Sequence, residues 1–136
     1  MQKHTTGLVG EDIAAEYLEK EGFTVIERRY HSGHLETDII AKDGEYILFT
    51  EVKTRRARPD GAHPYGTPGD AVTPAKRKNL IVAAEQYLKS HKEETAQLQP
   101  RIDVIEVYLD PHSDTPSLLR LNHYKNAVRK HRTEAR

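Results

Sequence analysis

Two short apolar segments on either side of a tight turn carry charged side chains at positions where burial is expected. The segments are residues 36–41 and 46–53, and the turn between them is 42–45. Their β-prone composition predicts a β-hairpin. In the second segment apolar side chains fall on both faces, which is typical of a central strand covered on both sides. A Glu and a Lys at the end of such a strand are costly unless they are paired or bound to something.

The charged side chains of this hairpin share faces. Side chains alternate between the two faces of a strand, so Glu36 and Asp38 point the same way, as do Glu51 and Lys53. If the hairpin brings these faces together, carboxylates and one ammonium group converge on a single spot. Two interpretations follow: a metal-dependent nuclease centre, or an ion-pair cluster that holds the sheet.

Length and composition indicate one small domain, and we expect residues 1–136 to form a single unit. With 36% hydrophobic and 31% charged residues, the chain can bury one modest core beneath a well-solvated surface. It has no cysteine, which excludes disulfides and thiolate metal sites and is consistent with a cytoplasmic location. No stretch approaches the apolar length of a membrane span, and no signal-peptide core follows the N-terminus. We therefore expect no membrane partner.

The first helix carries an acid in line with its apolar side chains. A threonine cap and Gly22 predict a helix over 6–21, and Glu11 falls on its apolar stripe. One explanation is a role for Glu11 at the charged spot of the hairpin. The other is an acid of the first turn that the helix dipole favours.

The remaining pattern completes an α/β fold. We predict strands at 23–30, 36–41, 46–53, 101–109 and 118–124, and a second helix over 74–91 that Thr73 caps. The order α-β-β-β-α-β-β implies an antiparallel meander followed by a parallel crossover, hence a mixed sheet flanked by helices. Segment 118–124 would be an edge strand. We expect 31–34 to be a turn, 54–69 a long loop, and the basic tail from about residue 125 to fray.

Cations are clustered although the formal net charge is zero. Arg55 and Arg56 begin the predicted loop just beyond Lys53, where they would suit a flexible arm on phosphate or simply a solvated loop. Lys76 and Arg77 crowd the first turn of the second helix, against the preference of the helix dipole, which favours an external anion as their target. We therefore predict that Arg55, Arg56, Lys76 and Arg77 contact nucleic acid.

The carboxylates and the lysine suit phosphodiester hydrolysis. That reaction needs an activated water, charge neutralisation at phosphorus and help for the leaving oxygen, all of which Mg²⁺ can supply. Magnesium prefers a few carboxylates together with waters, so Asp38, Glu51 and the backbone carbonyl of Val52 would hold Mg²⁺ or Mn²⁺. Lys53 would orient or help deprotonate the attacking water. Glu11 would add a ligand or an outer contact.

These residues resemble the PD-(D/E)xK nuclease motif, in which Asp38 is followed by Glu51-Val52-Lys53 and preceded by Glu11. More closely, the chain resembles the YraN-like family of small predicted endonucleases, which are similar to archaeal Holliday junction resolvases. The matching segments are 10–18, 36–41, 49–55, 71–77, 101–105 and 123–127. The resemblance implies a restriction-endonuclease-like fold, with Glu11, Asp38, Glu51 and Lys53 as catalytic or metal-binding residues.

Two positions depart from the family's pattern. Leu35 stands where the family usually has Gly, and Thr37 stands where it usually has Ile. Neither change removes a ligand. Because Leu35 bears on how Glu36 approaches the site, we rank Glu36 below Asp38.

Three functions are compatible with the sequence. The first is an Mg²⁺-dependent DNA endonuclease acting on branched DNA or on recombination and repair intermediates. The second is a catalytically silent nucleic-acid-binding module with the same fold, since phosphate contacts alone give salt-sensitive affinity. The third is an ion-pair cluster without a ligand. Resolvase-like relatives act as dimers, so a homodimer is left open. The sequence does not identify any protein partner.

Overall fold

The computed structural model describes residues 6–56, 72–112 and 114–129, with side chains from residue 8 onward. Its elements are α1 (Thr6–Lys20), β1 (Thr24–Ser32), β2 (Leu35–Lys42), β3 (Tyr46–Arg56), α2 (Pro74–Ser90), α3 (Lys92–Thr95), β4 (Gln99–Leu109) and β5 (Leu118–Tyr124). The strands form one sheet in the order β1-β2-β3-β4-β5. Strands β3 and β4 are parallel, and all other neighbours are antiparallel. The predicted α/β class, mixed sheet and element order are confirmed.

The two long helices cover opposite faces of the sheet because neighbouring strand residues face opposite ways. Ile39 belongs to the core beneath α1, whereas Ile40 belongs to the core beneath α2. The α1 core contains Ala14, Ala15, Leu18, Ile39, Ala41, Leu48, Ile105, Val107 and Leu109. The α2 core contains Ile40, Ile47, Phe49, Val72, Leu80, Ala84, Tyr87, Ile102, Val104 and Val128. By the same alternation, Asp38 and Glu51 lie on the α2 face.

The turn between β2 and β3 is closed by its aspartate. Asp43 Oδ1 accepts hydrogen bonds from the backbone N–H groups of Glu45 (2.8 Å) and Tyr46 (2.7 Å). These two bonds lower the pKa of Asp43 below its ordinary value. The Asx turn fixes the hairpin register, in which Lys42 pairs with Ile47 and Ile39 with Thr50. Register in turn decides which charged side chains share a face.

A glycine lets α1 approach the sheet closely. A Cβ atom added at Gly10 would overlap the side chain of Thr54 on β3, with Thr54 Oγ1 as its nearest neighbour. A side chain at position 10 would therefore push the first turns of α1 away from β3. The close approach brings Glu11, the next residue, to the sheet near the beginning of β2, where Glu36 and Asp38 lie.

The second helix begins where its capping signal predicts. Thr73 is the N-cap, and its side chain accepts a 3.1 Å hydrogen bond from the Lys76 N–H. Pro74 follows in the first helical turn. At the other end, the ring of His91 stacks on Tyr87 with centroids 3.9 Å apart. In the described parts of the chain, no helix has the length and apolar character that crossing a membrane requires.

Several boundaries differ from the sequence prediction, three of them in segments that we expected to be a loop, a turn or a frayed tail. Strand β3 continues to Arg56, so Arg55 and Arg56 belong to a strand and not to the predicted loop, of which 57–69 lies outside the described residues. Strand β1 continues to Ser32, which leaves only 33–34 for the turn. After β5 the described chain continues to 129, and Val128 is buried there with its N–H bonded to the Ile102 carbonyl (3.3 Å). This packing holds in place the start of the segment that we expected to fray.

Candidate active site

The pairing of β2 with β3 stops where the charged residues begin. Ile39 opposite Thr50 is the last pair of the ladder, and one further step in this register would set Asp38 opposite Glu51. Instead, the Val52 N–H donates a 2.8 Å hydrogen bond to Asp38 Oδ2. A backbone donor of β3 is thus satisfied by a side chain of β2. The carboxylates of Asp38 and Glu51 share one face at the place where the two strands cease to pair.

Asp38 is an acid that resists ionisation. Its pKa rises from the ordinary 3.8 to about 7. Burial is the largest cause and repulsion from Glu51 the second, while the hydrogen bond from Val52 opposes both; Glu11 and Glu36 add repulsion. Near neutral pH Asp38 is therefore only partly ionised. A bound cation would relieve the repulsion between these carboxylates, so the cluster favours cation binding.

Glu51 is held by two lysines from different elements. Its side chain is buried, and Oε2 lies 3.3 Å from Lys53 Nζ and 3.3 Å from Lys76 Nζ. Lys53 lies two residues further along β3, whereas Lys76 comes from the first turn of α2. We predicted an external anion as the target of Lys76, but here its partner is an anion within the protein.

A second set of carboxylates converges on Asp38. Oxygen atoms of Glu11, Glu36 and Asp38 all lie within 4.8 Å of one another. Glu11 is buried, Asp38 is half-buried and Glu36 is exposed, with Oε1 3.2 Å from His31 Nε2. Clustered carboxylate oxygens are the ligand set that Mg²⁺ and Mn²⁺ favour, so the residues present fit a hard divalent cation. The structure thus gives Glu36 a more central place than sequence reasoning did.

Two arginines from β1 reach the buried carboxylate of Glu11. Its Oε1 lies 3.5 Å from Arg29 Nε and 3.6 Å from Arg28 Nη2. Burial raises the pKa of Glu11, and the two arginines oppose that rise. Sequence reasoning missed both arginines, because β1 and α1 gave no sign of which side chains would meet.

Arg29 has an unusual backbone. Its φ is 53°, in the left-handed region that a side chain other than glycine adopts at a cost of about 1–3 kcal/mol. Arg28 pairs with Ile39 and Tyr30 with Thr37, so Arg29 stands across from Asp38 in the β1–β2 register. The distortion thus falls opposite the central carboxylate of the site.

A further buried acid borders the site on its other side. Glu106 of β4 pairs with Lys53 in the β3–β4 register, and alternation places both on the α2 face. Glu106 Oε1 accepts hydrogen bonds from Tyr124 (3.2 Å), Asn122 (3.3 Å) and Tyr108 (3.4 Å). No sequence motif drew attention to Glu106, which reads as an ordinary alternating strand residue.

The predicted nucleic-acid contacts are spread over two elements. Arg55 and Arg56 continue β3 beyond Lys53, and Arg56 is exposed. Arg77 is exposed on α2, next to the Lys76 that contacts Glu51. The structure thus places the arginines on the two elements that also carry Glu51 and its lysines.

The site and fold define a small α/β protein with an acidic cluster at the end of a strand pair, flanked by lysines and arginines. Residues 10–107 match a protein family described as Uncharacterised protein family UPF0102. A UPF0102 protein of Caldanaerobacter subterraneus is 39% identical over 93% of this chain and 97% of its own length. One from Syntrophomonas wolfei is 38% identical over 89% and 95%. The chain therefore belongs to the UPF0102 family, which confirms the predicted family.

One solved structure is similar in part. It is described as the structure of an EndoMS–dsDNA2 complex, and the similarity covers 75% of this chain and 37% of the other. The sequence identity is 16% and the TM-score is 0.43.

Proposed function

We propose that this protein is a divalent-metal-dependent DNA endonuclease. The observation that carries the proposal is the position of Asp38. It accepts a hydrogen bond from Val52, its pKa is raised to about 7 partly by Glu51, and its carboxylate meets those of Glu11 and Glu36. Carboxylates clustered in this way lower the stability of the fold. The same arrangement is an advantage for a site that must bind a divalent cation.

The residues divide between holding the metal and handling the substrate. Asp38 and Glu11 would hold Mg²⁺ or Mn²⁺, with Glu51, Glu36 and the Val52 carbonyl as the further candidates. When bound, the ion would supply charge neutralisation at the phosphate and a more acidic water. Lys53 would then orient the attacking water or offset the charge of the phosphate, because its ammonium already lies 3.3 Å from Glu51.

The expected substrate is DNA with a branch, as in recombination and repair. This expectation follows from the resemblance to junction resolvases, and the exposed Arg56 and Arg77 would contact its phosphates. A homodimer would suit the two-fold symmetry of such junctions. The location that we expect is the cytoplasm, with which the absence of cysteine is consistent.

The test is cleavage of labelled four-way junction, flap and linear duplex DNA with Mg²⁺, Mn²⁺ or chelator. The wild type is compared with Asp38→Asn and Lys53→Ala, and with Lys89→Ala as a control for the loss of a cation from the far end of α2. Metal-dependent cleavage that both site variants lose and the control retains would support the proposal. Equal cleavage by wild type and Asp38→Asn would contradict the proposal, because cleavage would then not depend on the carboxylate of Asp38.

A DNA-binding module without turnover is the second candidate. The contacts of Lys53 and Lys76 with Glu51 favour it, because they neutralise one predicted metal ligand without any metal. Binding that persists in chelator and falls with salt, without cleavage of any substrate, would identify this module. The third possibility, a purely structural cluster, requires that Asp38→Asn destabilise the fold.

A further inference from the structure

A large cavity lies between α2 and the segment that follows β5. Its volume is about 620 Å³, within the range of about 300–1,000 Å³ that small-ligand sites occupy. Among the described residues the lining contains three cations and no carboxylate. These lining residues are Val72, Arg77, Val104, His123, Tyr124, Lys125, Asn126, Ala127, Val128 and Arg129. A cavity of this charge favours an anionic ligand.

One wall of the cavity is held in place by a buried acid. Asn126 has a φ of 53°, and its N–H donates a 2.8 Å hydrogen bond to Asp103 Oδ1. Asp103 is completely buried and also accepts from Arg101 (2.7 and 3.1 Å), while its Oδ2 lies 2.8 Å from His123 Nε2. The Val128 N–H bonds the Ile102 carbonyl. Residues 125–129 are thus fixed at two points, and Lys125 and Arg129 project from a defined backbone.

The same network extends to α1. His123 Nδ1 lies 2.8 Å from the Tyr17 hydroxyl, and the two rings meet edge to face at 5.4 Å. Burying the aspartate completely costs free energy, which its four hydrogen-bonding contacts offset. In this protein one of these contacts fixes the backbone that carries the cations of the cavity.

The cavity adjoins the candidate active site. Val104 lines it and is the partner of Glu51 in the β3–β4 register. Arg77 lines it and follows Lys76, which contacts Glu51. A strand that passes the acidic cluster on the α2 face would therefore come to the mouth of the cavity.

We propose that the cavity binds an unpaired nucleotide of a DNA strand, next to the site of cleavage. Arg77 on one side and Lys125 and Arg129 on the other would contact phosphate, and the cavity has room for a nucleotide but not for a duplex. Cationic grooves with aromatic side chains such as Tyr124 are the usual receptors for single strands. The inference rests on the proposed nuclease function and adds DNA with an unpaired strand as the preferred substrate class.

Binding in chelator tests the inference separately from cleavage. The probe is a short fluorescent oligothymidylate, titrated at several salt concentrations with wild type and with Lys125→Ala/Arg129→Ala. Each phosphate contact contributes about 0.7 to the slope of log K against log salt for single strands. The double variant should lower the slope by about 1.4. The control, Lys20→Ala/Lys89→Ala, removes two exposed cations elsewhere and should leave the slope unchanged.

Three results would overturn the inference. One is an equal slope for the double variant and the wild type. Another is an equal loss of affinity for blunt duplex, which would make the cations general phosphate contacts. The third is binding of thymidine 5′-monophosphate as tight as that of the oligonucleotide, which would indicate a free-nucleotide site.

A second variant keeps the test valid if the double variant does not fold, as judged by circular dichroism. Arg77→Gln, on the opposite wall, should lower the slope by about 0.7, and an unchanged slope would contradict the inference. If the wild type binds the single strand with the expected slope but cleaves no DNA, the proposed nuclease function is contradicted and the inference about the cavity is not.

Discussion

The carboxylate of Asp38 accepts a hydrogen bond of 2.8 Å from the backbone N–H of Val52. This bond ties Asp38 of β2 to the middle residue of the Glu51-Val52-Lys53 segment of β3. It needs only an acceptor oxygen, which an amide also provides. The negative charge of Asp38 is thus dispensable for this contact.

Replacing Asp38 by Asn should therefore stabilise the metal-free protein while abolishing cleavage. The pKa of Asp38 is about 7 in the folded protein against an ordinary 3.8, and each unit is worth about 1.4 kcal/mol. Because the folded state holds the proton more tightly, the free energy of unfolding of the wild type should fall as pH rises from about 4 to about 7. Urea denaturation at several pH values in chelator should show a flatter profile for Asp38→Asn, with a gain on the order of 1–4 kcal/mol at pH 8.

The control for this comparison is Glu19→Gln, which removes an exposed acid of α1. Its profile should follow that of the wild type. A loss of stability in Asp38→Asn at pH 8 would instead indicate that the acidic cluster serves only to hold the sheet.

Divalent metal should raise the melting temperature of the wild type. A ligand at 100 times its Kd stabilises the folded state by about 2.7 kcal/mol. Glu11→Gln and Asp38→Asn should both lose this effect, because each is a predicted ligand at the convergence of the carboxylates. Thermal melts with Mg²⁺ or Mn²⁺ measure it, and Glu19→Gln should respond like the wild type.

The same melts distinguish two possible sets of metal ligands. One is Asp38 with Glu51, and the other is Asp38 with Glu11 and Glu36. We expect Glu51→Gln to lose more of the effect than Glu36→Gln, because Glu51 is buried and repels Asp38 more strongly, whereas Glu36 is exposed. The reverse order would favour the set Glu11, Glu36 and Asp38.

Replacing Gly10 by Ala should destabilise the fold by about 1–3 kcal/mol, because the new methyl group would overlap Thr54. Displacement of Glu11 should lower cleavage as well. In the Thr54→Ala background the same change should cost less, and a double-mutant cycle measures the difference. Gly44→Ala is the matched control, since nothing lies within 4 Å of its added Cβ. Equal costs in both backgrounds would contradict the packing explanation.

Arg29→Gly and Arg29→Ala should differ in stability although both remove the cation. Glycine accepts the left-handed backbone at position 29 and alanine does not, so the glycine variant should be more stable by about 1 kcal/mol. Both variants should cleave less well, because Glu11 loses the cation 3.5 Å from its carboxylate. If alanine proved as stable as glycine, the left-handed backbone would not be a source of strain.

Local signals predicted most of the fold. Thr73 and Pro74 predicted the start of α2, and the predicted edge strand 118–124 has the same bounds as β5. The end of β3 was missed because Arg55 and Arg56 resemble the loop that follows, while eleven register pairs with β4 extend the strand through them. Tertiary pairing thus outweighed local composition.

The site was predictable only in part, for a different reason. Asp38, Glu51 and Lys53 follow from alternation within one hairpin. The contact of Lys76 with Glu51, and that of Arg29 with Glu11, join elements that are distant in sequence. The periodicity of a single segment cannot predict contacts between side chains of different elements.

The parallel pairing of β3 with β4 has a consequence for how the protein acquires its site. Parallel strands cannot be joined by a tight turn, so the chain must close a long crossover before these strands meet, and such non-local closure slows folding. Lys76 lies within that crossover, and Val104 lies beyond it. The β2–β3 hairpin with Asp38 and Glu51 can form early, as a local unit. Lys76 of α2 and the neighbouring residues of β4 can reach this hairpin only when the crossover closes. The site is therefore complete only after the whole domain has folded.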